Sequence, residues 1–210
     1  MRSFNIWLLV QTFGDIKCLQ YLGGMSSSNE LFMADIFGSC VNVLDTTNGS
    51  IRTIRDRDLG RPMGICLFGD SLYVTDIDNN CIHVFNIDGR YIKCIGEGQI
   101  NHPVDVCVSP DGELFVSDND MFHIRVFRIE DGSYVRSIVL GLAFSEITLS
   151  PNGEFIFVST YTNGIKMLRA ADGTLVRSFV DSSSGMMRVS PDGQELFVLY
   201  NVDQIKVFQL

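Results

Sequence analysis

Long apolar runs are missing from this chain. The only one near the N-terminus, Phe4–Val10, is too short for a membrane span or a typical signal h-region. The expectation is a soluble, cytoplasmic protein with no membrane partner. Positive charge is also scarce, with 16 Lys and Arg against 25 Asp and Glu. A surface that reads phosphate needs cations, so a net charge of −9 leaves no expectation of DNA binding. None of the six cysteines forms a Cys-x-x-Cys pair, which removes the strongest spacing signal for a metal or redox site. Histidine is limited to His83, His102 and His123.

What remains is rich in strand and turn formers. At 46% apolar and 20% charged residues, wholesale disorder is excluded. The 15 Phe and 19 Gly, with many Val and Ile, fit a β-rich protein with many turns. A length of 210 residues suffices for one substantial core.

The apolar runs recur with a period. Leu31–Asp35 is followed by Leu72–Asp76, Leu114–Asp118, Ile156–Thr160 and Leu196–Tyr200, at steps of 41, 42, 42 and 40 residues. A following run recurs as Val41–Leu44, Ile82–Phe85, Ile124–Phe127, Ile165–Leu168 and Ile205–Phe208. A further run recurs as Ile51–Ile54, Ile92–Ile95, Val135–Ile138 and Val176–Phe179. Turn residues such as Ser109-Pro110-Asp111-Gly112 separate the runs, as in an antiparallel meander. A four-stranded sheet of this size cannot bury both faces alone, whereas radial stacking buries each against a neighbour. The pattern therefore predicts an all-β fold, a β-propeller of about 42-residue four-stranded blades.

Residues 1–210 are read as one propeller domain. A partial blade spans 1–22, blades follow at about 23–61, 62–102, 103–143 and 144–183, and three strands close the chain at 184–210. Phe4–Leu9 and Ile16–Leu19 match the third and fourth runs. A clasp by the latter gives five blades; otherwise the chain is an incomplete six-bladed ring. Gly23–Asn29 makes a poor first strand, with little to bury.

Val104–Ile138 and Met63–Ile95 resemble NHL repeats. They have an apolar strand after a Pro, a Leu-Phe/Tyr-Val-x-Asp strand, a polar turn, an Ile-x-Val-Phe strand, then Asp-Gly and an outer strand with a basic residue. Asn79 matches the Asn of the naming segment, while Asn80 and Cys81 depart from its His and Leu. Lactonase-like propellers with a Ser-Pro-Asp-Gly turn are similar to the last two units, and no Trp-Asp signature is present. The NHL resemblance implies a ring-shaped platform for protein or RNA partners, often beside a ubiquitin-ligase module. No Cys/His zinc pattern of such a module occurs here.

The residues that could carry chemistry mostly have structural explanations. The cysteines fall into repeat-equivalent pairs, Cys18 with Cys94, Cys40 with Cys81 and Cys66 with Cys107, and read as small buried residues in a reducing compartment. The alternative puts Cys66 and Cys107 on the central channel as a soft metal site. The three His do not converge and read as surface or edge residues. Asp35, Asp76 and Asp118 could form a calcium-binding ring, but Thr160 and Tyr200 break it. Asp before a polar turn bonds the turn backbone instead. Lys17, Arg52, Lys93, Arg136 and Arg177 in the fourth run, with Arg125, Lys166 and Lys206 in the third, read as solvated edge protection.

The varied end of the propeller is the better candidate. It carries Arg61, Asp78, Asn80, Asn101, His102, Asn119, Phe122, Tyr161, Asn163 and Asn201. Phe122 and Tyr161 among amides suit a partner-binding face. The leading expectation is a non-enzymatic scaffold for a protein partner, with no cofactor, metal or catalytic residue. RNA recognition is the second reading, and a metal-dependent hydrolase or lyase the third.

Overall fold

The computed structural model describes residues 21–26, 28–56, 58–179, 186–200 and 204–210. Every described element is a β-strand. The first blade holds β1 (Tyr21–Met25), β2 (Glu30–Asp35), β3 (Cys40–Asp45) and β4 (Ile51–Ile54). The second holds β5 (Pro62–Phe68), β6 (Ser71–Asp76), β7 (Cys81–Asn86) and β8 (Tyr91–Ile95). The third holds β9 (Pro103–Val108), β10 (Glu113–Asp118), β11 (His123–Arg128) and β12 (Tyr134–Val139). The fourth holds β13 (Phe144–Leu149), β14 (Phe155–Thr160), β15 (Gly164–Arg169) and β16 (Leu175–Phe179). The fifth has three described strands, β17 (Met187–Val189), β18 (Glu195–Tyr200) and β19 (Gln204–Gln209). Each sheet is an antiparallel meander in chain order, and the inner strands β1, β5, β9, β13 and β17 pack in succession.

Successive side chains of a strand point to opposite faces. Here both faces are apolar, and the second, third and fourth blades each lie between two others. Leu72 and Val74 pack with Phe32, Val41 and Val43 of the first blade. Tyr73, between them in sequence, packs with Val106, Leu114 and Val116 of the third. Two further clusters join the third blade to the fourth and the fourth to the fifth.

Two features depart from the sequence expectations, and some expected elements are not described. The first strand begins at Tyr21 and ends at Met25, and its pairing with β2 shifts register between Leu22 and Gly24. Phe4–Leu9, Ile16–Leu19, Lys17, Cys18 and Asn201 lie outside the described residues. The fourth-strand cations do not end in solvent. Arg52 donates to the carbonyl of Ile87 at 2.7 Å, Lys93 to that of Ile129 at 2.7 Å, and Arg136 to that of Ala170 at 3.0 Å. Arg177 reaches the carbonyl of Gln209 at 3.0 Å. Each cation crosses to the next blade, so the column is a set of interblade staples.

Candidate functional sites

The turns between second and third strands share one end of the propeller with the interblade loops. Most of the sequence-selected residues form a network there. Arg61 Nε donates to Asp78 Oδ1 at 2.6 Å. Asn80 Oδ1 accepts from the His102 backbone N–H at 2.8 Å, and the Asn119 N–H donates to the His102 carbonyl at 3.3 Å. Asn101 Nδ2 donates to Asp120 Oδ2 at 2.8 Å. Asn163 lies apart in the fourth blade, where its N–H donates to Thr160 Oγ1 at 3.0 Å. Phe122 and Tyr161 are 41% and 51% exposed. Met121 and Phe37 join them at 49% and 75%. Sequence reasoning missed Phe37, although it follows Asp35 by the same interval as Asp78 follows Asp76.

The residue just before β3, β7 and β11 has positive φ, Ser39 at 48°, Asn80 at 53° and Phe122 at 54°, as does Gly164, the first residue of β15, at 68°. Asn and Gly suit this left-handed position, whereas a bulky aromatic there is strained. Phe122 is held by its carbonyl, which accepts from the Leu140 N–H at 3.0 Å.

A second site is repeated inside the blades. The carboxylate ending the second strand meets a polar side chain of the third, which meets a small side chain of the fourth. In the first blade Asn42 Nδ2 donates to Asp35 Oδ2 at 3.2 Å and Thr53 Oγ1 donates to Asn42 Oδ1 at 3.0 Å. In the third, Arg125 contacts Asp118 Oδ2 at 3.0 Å and Ser137 Oγ at 3.1 Å. In the fourth, Lys166 Nζ donates to Ser178 Oγ at 3.1 Å. Arg125 is therefore a relay member rather than an edge charge, whereas Lys166, whose blade ends its second strand in Thr160, makes only the outer bond. In the second blade the relay is Asp76, His83 and Cys94. His83 Nε2 lies 3.2 Å from Asp76 Oδ2, and His83 pairs with Cys94 across β7 and β8.

Asp76 also bonds the backbone on both sides. It accepts from Gly60 N at 2.7 Å, Arg61 N at 3.0 Å and Asp78 N at 3.1 Å. Burial opposes its charge, but these donors and His83 win and hold the carboxyl well below its ordinary range. Burial likewise opposes the His83 imidazolium, yet Asp76 outweighs it and raises that group above the ordinary histidine range. His83 is buried, correcting the expectation of a surface or edge residue.

The third arrangement lies on the inner strands. Asp105 accepts from the Ile147 N–H of the next blade at 3.0 Å. Burial, then the neighbouring Asp105, pushes the Glu146 carboxyl up to about 8, with Arg188 opposing. Cys66 and Cys107 interact here, and burial pushes Cys66 up to about 11 and Cys107 well up. Among the described residues, no three His, Cys, Asp or Glu side chains are grouped to hold a metal ion. No described helix is long and apolar enough to cross a membrane.

Stacked four-stranded meanders around an inner ring of strands define a β-propeller. Residues 101–127, which span β9, β10 and most of β11, match the family model of the NHL repeat, so the β-propeller carries one NHL-like repeat in its third blade. No curated protein matches it. The solved structure of Kuenenia stuttgartiensis hydrazine synthase is similar, with a TM-score of 0.72 and 21% identity over 87% of this chain. This chain spans 55% of that one, about half its length. As 1451 solved chains match in all, the likeness establishes the fold and leaves function to the sites.

Proposed function

We propose that the chain is a non-enzymatic, cytoplasmic scaffold that binds a protein partner through its varied end. The observation that carries this reading is the exposure of Phe37, Met121, Phe122 and Tyr161 on turns of three blades at that one end. Large apolar side chains ringed by amides have the composition of an interface core with a polar rim. Phe122 strengthens the reading. Its backbone favours Asn or Gly, so keeping an exposed aromatic there costs stability without filling a core. The network around His102 holds the neighbouring loops in fixed geometry. An RNA face would need unpaired cations, and Arg61 is engaged with Asp78.

The test is affinity capture from native lysate on the immobilised chain, with and without RNase. Proteins retained after RNase, and reduced by Phe122→Gly and Tyr161→Ala, support the scaffold. Capture that vanishes with RNase, or that is indifferent to both substitutions, overturns it.

A further inference from the structure

The second blade differs from its neighbours by ending its relay in a thiol with a second thiol beside it. The positions matching Cys94 are Thr53, Ser137 and Ser178, which hydrogen bond within their relays. Cys81 starts β7 opposite Asp76, while Cys94 lies opposite His83 on β8. Asp76, Cys81, His83 and Cys94 therefore share one face, with the two cysteines diagonal to each other. Diagonal cross-strand positions remain within side-chain reach. The Cys81 thiol hydrogen bonds the Cys94 sulfur. The side chains of His83 and Asp76 are 5% and 0% exposed, and His83 Nε2 faces Asp76 Oδ2 at 3.2 Å. Cys94, across from His83 on β8, is only half-buried.

We propose that Cys94 and Cys81 form a hydroperoxide-sensitive thiol pair, with Cys94 attacked first and Cys81 closing a disulfide. The proposal is independent of the partner-binding reading. The Cys81 hydrogen bond, chiefly, holds Cys94 below the ordinary thiol range against burial, with the charge of His83 assisting. Cys81 keeps its proton, raised by that same bond and by burial. In the first step the Cys94 thiolate attacks one peroxide oxygen. The O–O bond breaks, hydroxide leaves and takes a proton to become water, and Cys94 becomes a sulfenic acid. In the second step the Cys81 sulfur loses its proton and attacks Cys94 Sγ. The S–O bond breaks, the S–S bond forms and a second water leaves. Two thiols and one hydroperoxide give one disulfide and two waters when the oxidant is hydrogen peroxide. Loss of the Cys94 charge in the first step removes a cause of the raised Cys81 pKa, which readies Cys81 for the second. Diagonal Cα atoms stand about 7–8 Å apart, beyond the usual span of a disulfide, so closure requires the end of β8 to move inward. Gly96 follows that end at φ 81°.

Cys66 and Cys107 are the internal control. They also lie near each other, but burial raises both. The full chain is treated with dilute hydrogen peroxide, quenched with an alkylating reagent and mapped by peptide mass spectrometry without reduction. The expected product is a Cys81–Cys94 disulfide, formed about tenfold faster than any change at Cys66 or Cys107. Cys81→Ser should stop at a sulfenic acid on Cys94, trapped by a dione probe. Cys94→Ser should leave Cys81 reduced. Cys94 oxidising no faster than Cys66 in the unsubstituted chain overturns the proposal, as does oxidation of Cys81 in the Cys94→Ser chain. If a serine variant fails to fold, the map of the unsubstituted chain alone decides.

Discussion

At the scale of single residues, two side chains sit where local physics disfavours them. Phe122 holds φ 54° with 41% of its surface exposed, so burial does not offset the strain. Replacing it with Gly should raise stability by about 1 kcal/mol, because the left-handed region is costly only to residues with a Cβ. The gain would be read as a higher urea midpoint. A loss instead would mean that the ring packs usefully at the blade end. Glu146 is disfavoured by burial rather than by backbone. Its carboxyl is raised from 4.5 to about 8 on folding, so the folded state holds the proton more tightly than the unfolded chain. Its contribution to stability is complete below about pH 4.5 and is lost as pH rises through about 8. Glu146→Gln should flatten that part of the stability profile measured by chemical denaturation. An unchanged slope between those values would assign the pH dependence elsewhere.

At the scale of strands, the same position does the same task in blade after blade. Arg136 illustrates the staple. It makes two bonds to Glu113 at 2.6 Å within its own blade and one to the Ala170 carbonyl of the next. Arg136→Met keeps the stem but removes these bonds, one of them to a neighbouring blade. The expected cost is about 1.5–3 kcal/mol, as for hydrogen bonds to a charged group. A shift in urea midpoint with unchanged slope would show this, and a change under 0.5 kcal/mol, the scale of an ordinary surface substitution, would return Arg136 to solvent. The strands themselves were legible in the sequence because each run is short, apolar and bounded by turn residues. The repeat then supplied their order. The task of the outer cations was not legible. A Lys in an outer strand reads the same whether its Nζ ends in water or on a carbonyl one blade away. Only the stagger of adjacent sheets decides, and no residue pattern within one blade encodes it. His83 was hidden for a related reason. Asp76 and His83 are seven positions apart, and only the β6–β7 register brings them to 3.2 Å. Cys81 and Cys94 were grouped with their repeat equivalents, whereas the thiol contact runs within one blade. At the varied end, Phe122 and Tyr161 could be chosen from the sequence by residue type. Phe37 escaped because its turn lacks the amides that marked the others.

At the scale of the molecule, burial is not shared evenly among the blades. The aromatic in the middle of each second strand seats against the next blade. Phe32, Phe115 and Phe157 are 0%, 1% and 0% exposed, and Tyr73 is 4%. The matching residue of the fifth blade, Phe197, is 37% exposed. The third strand repeats the contrast, since Val41, Ile82, Ile124 and Ile165 are each 0% exposed and Ile205 is 66%. Val207 is 48% exposed where Val43, Val84 and Val126 are at most 2%. The fifth blade thus presents the same apolar face as the others without a neighbour seated on it among the described residues. If propeller stability is a sum of interblade contacts, equivalent substitutions should differ sharply by blade. Phe157→Ala removes a ring enclosed by the fourth and fifth blades and should cost about 3–5 kcal/mol. Phe197→Ala removes a partly solvated ring with less packing to lose, and should cost under about 1 kcal/mol. Urea titration of the two variants beside the unsubstituted chain makes the comparison. Equal losses would mean that something covers the fifth blade in solution. The ring would then be closed there by residues outside the described set or by a second molecule. Dependence of the Phe197→Ala loss on protein concentration separates those two, because only association between molecules responds to it.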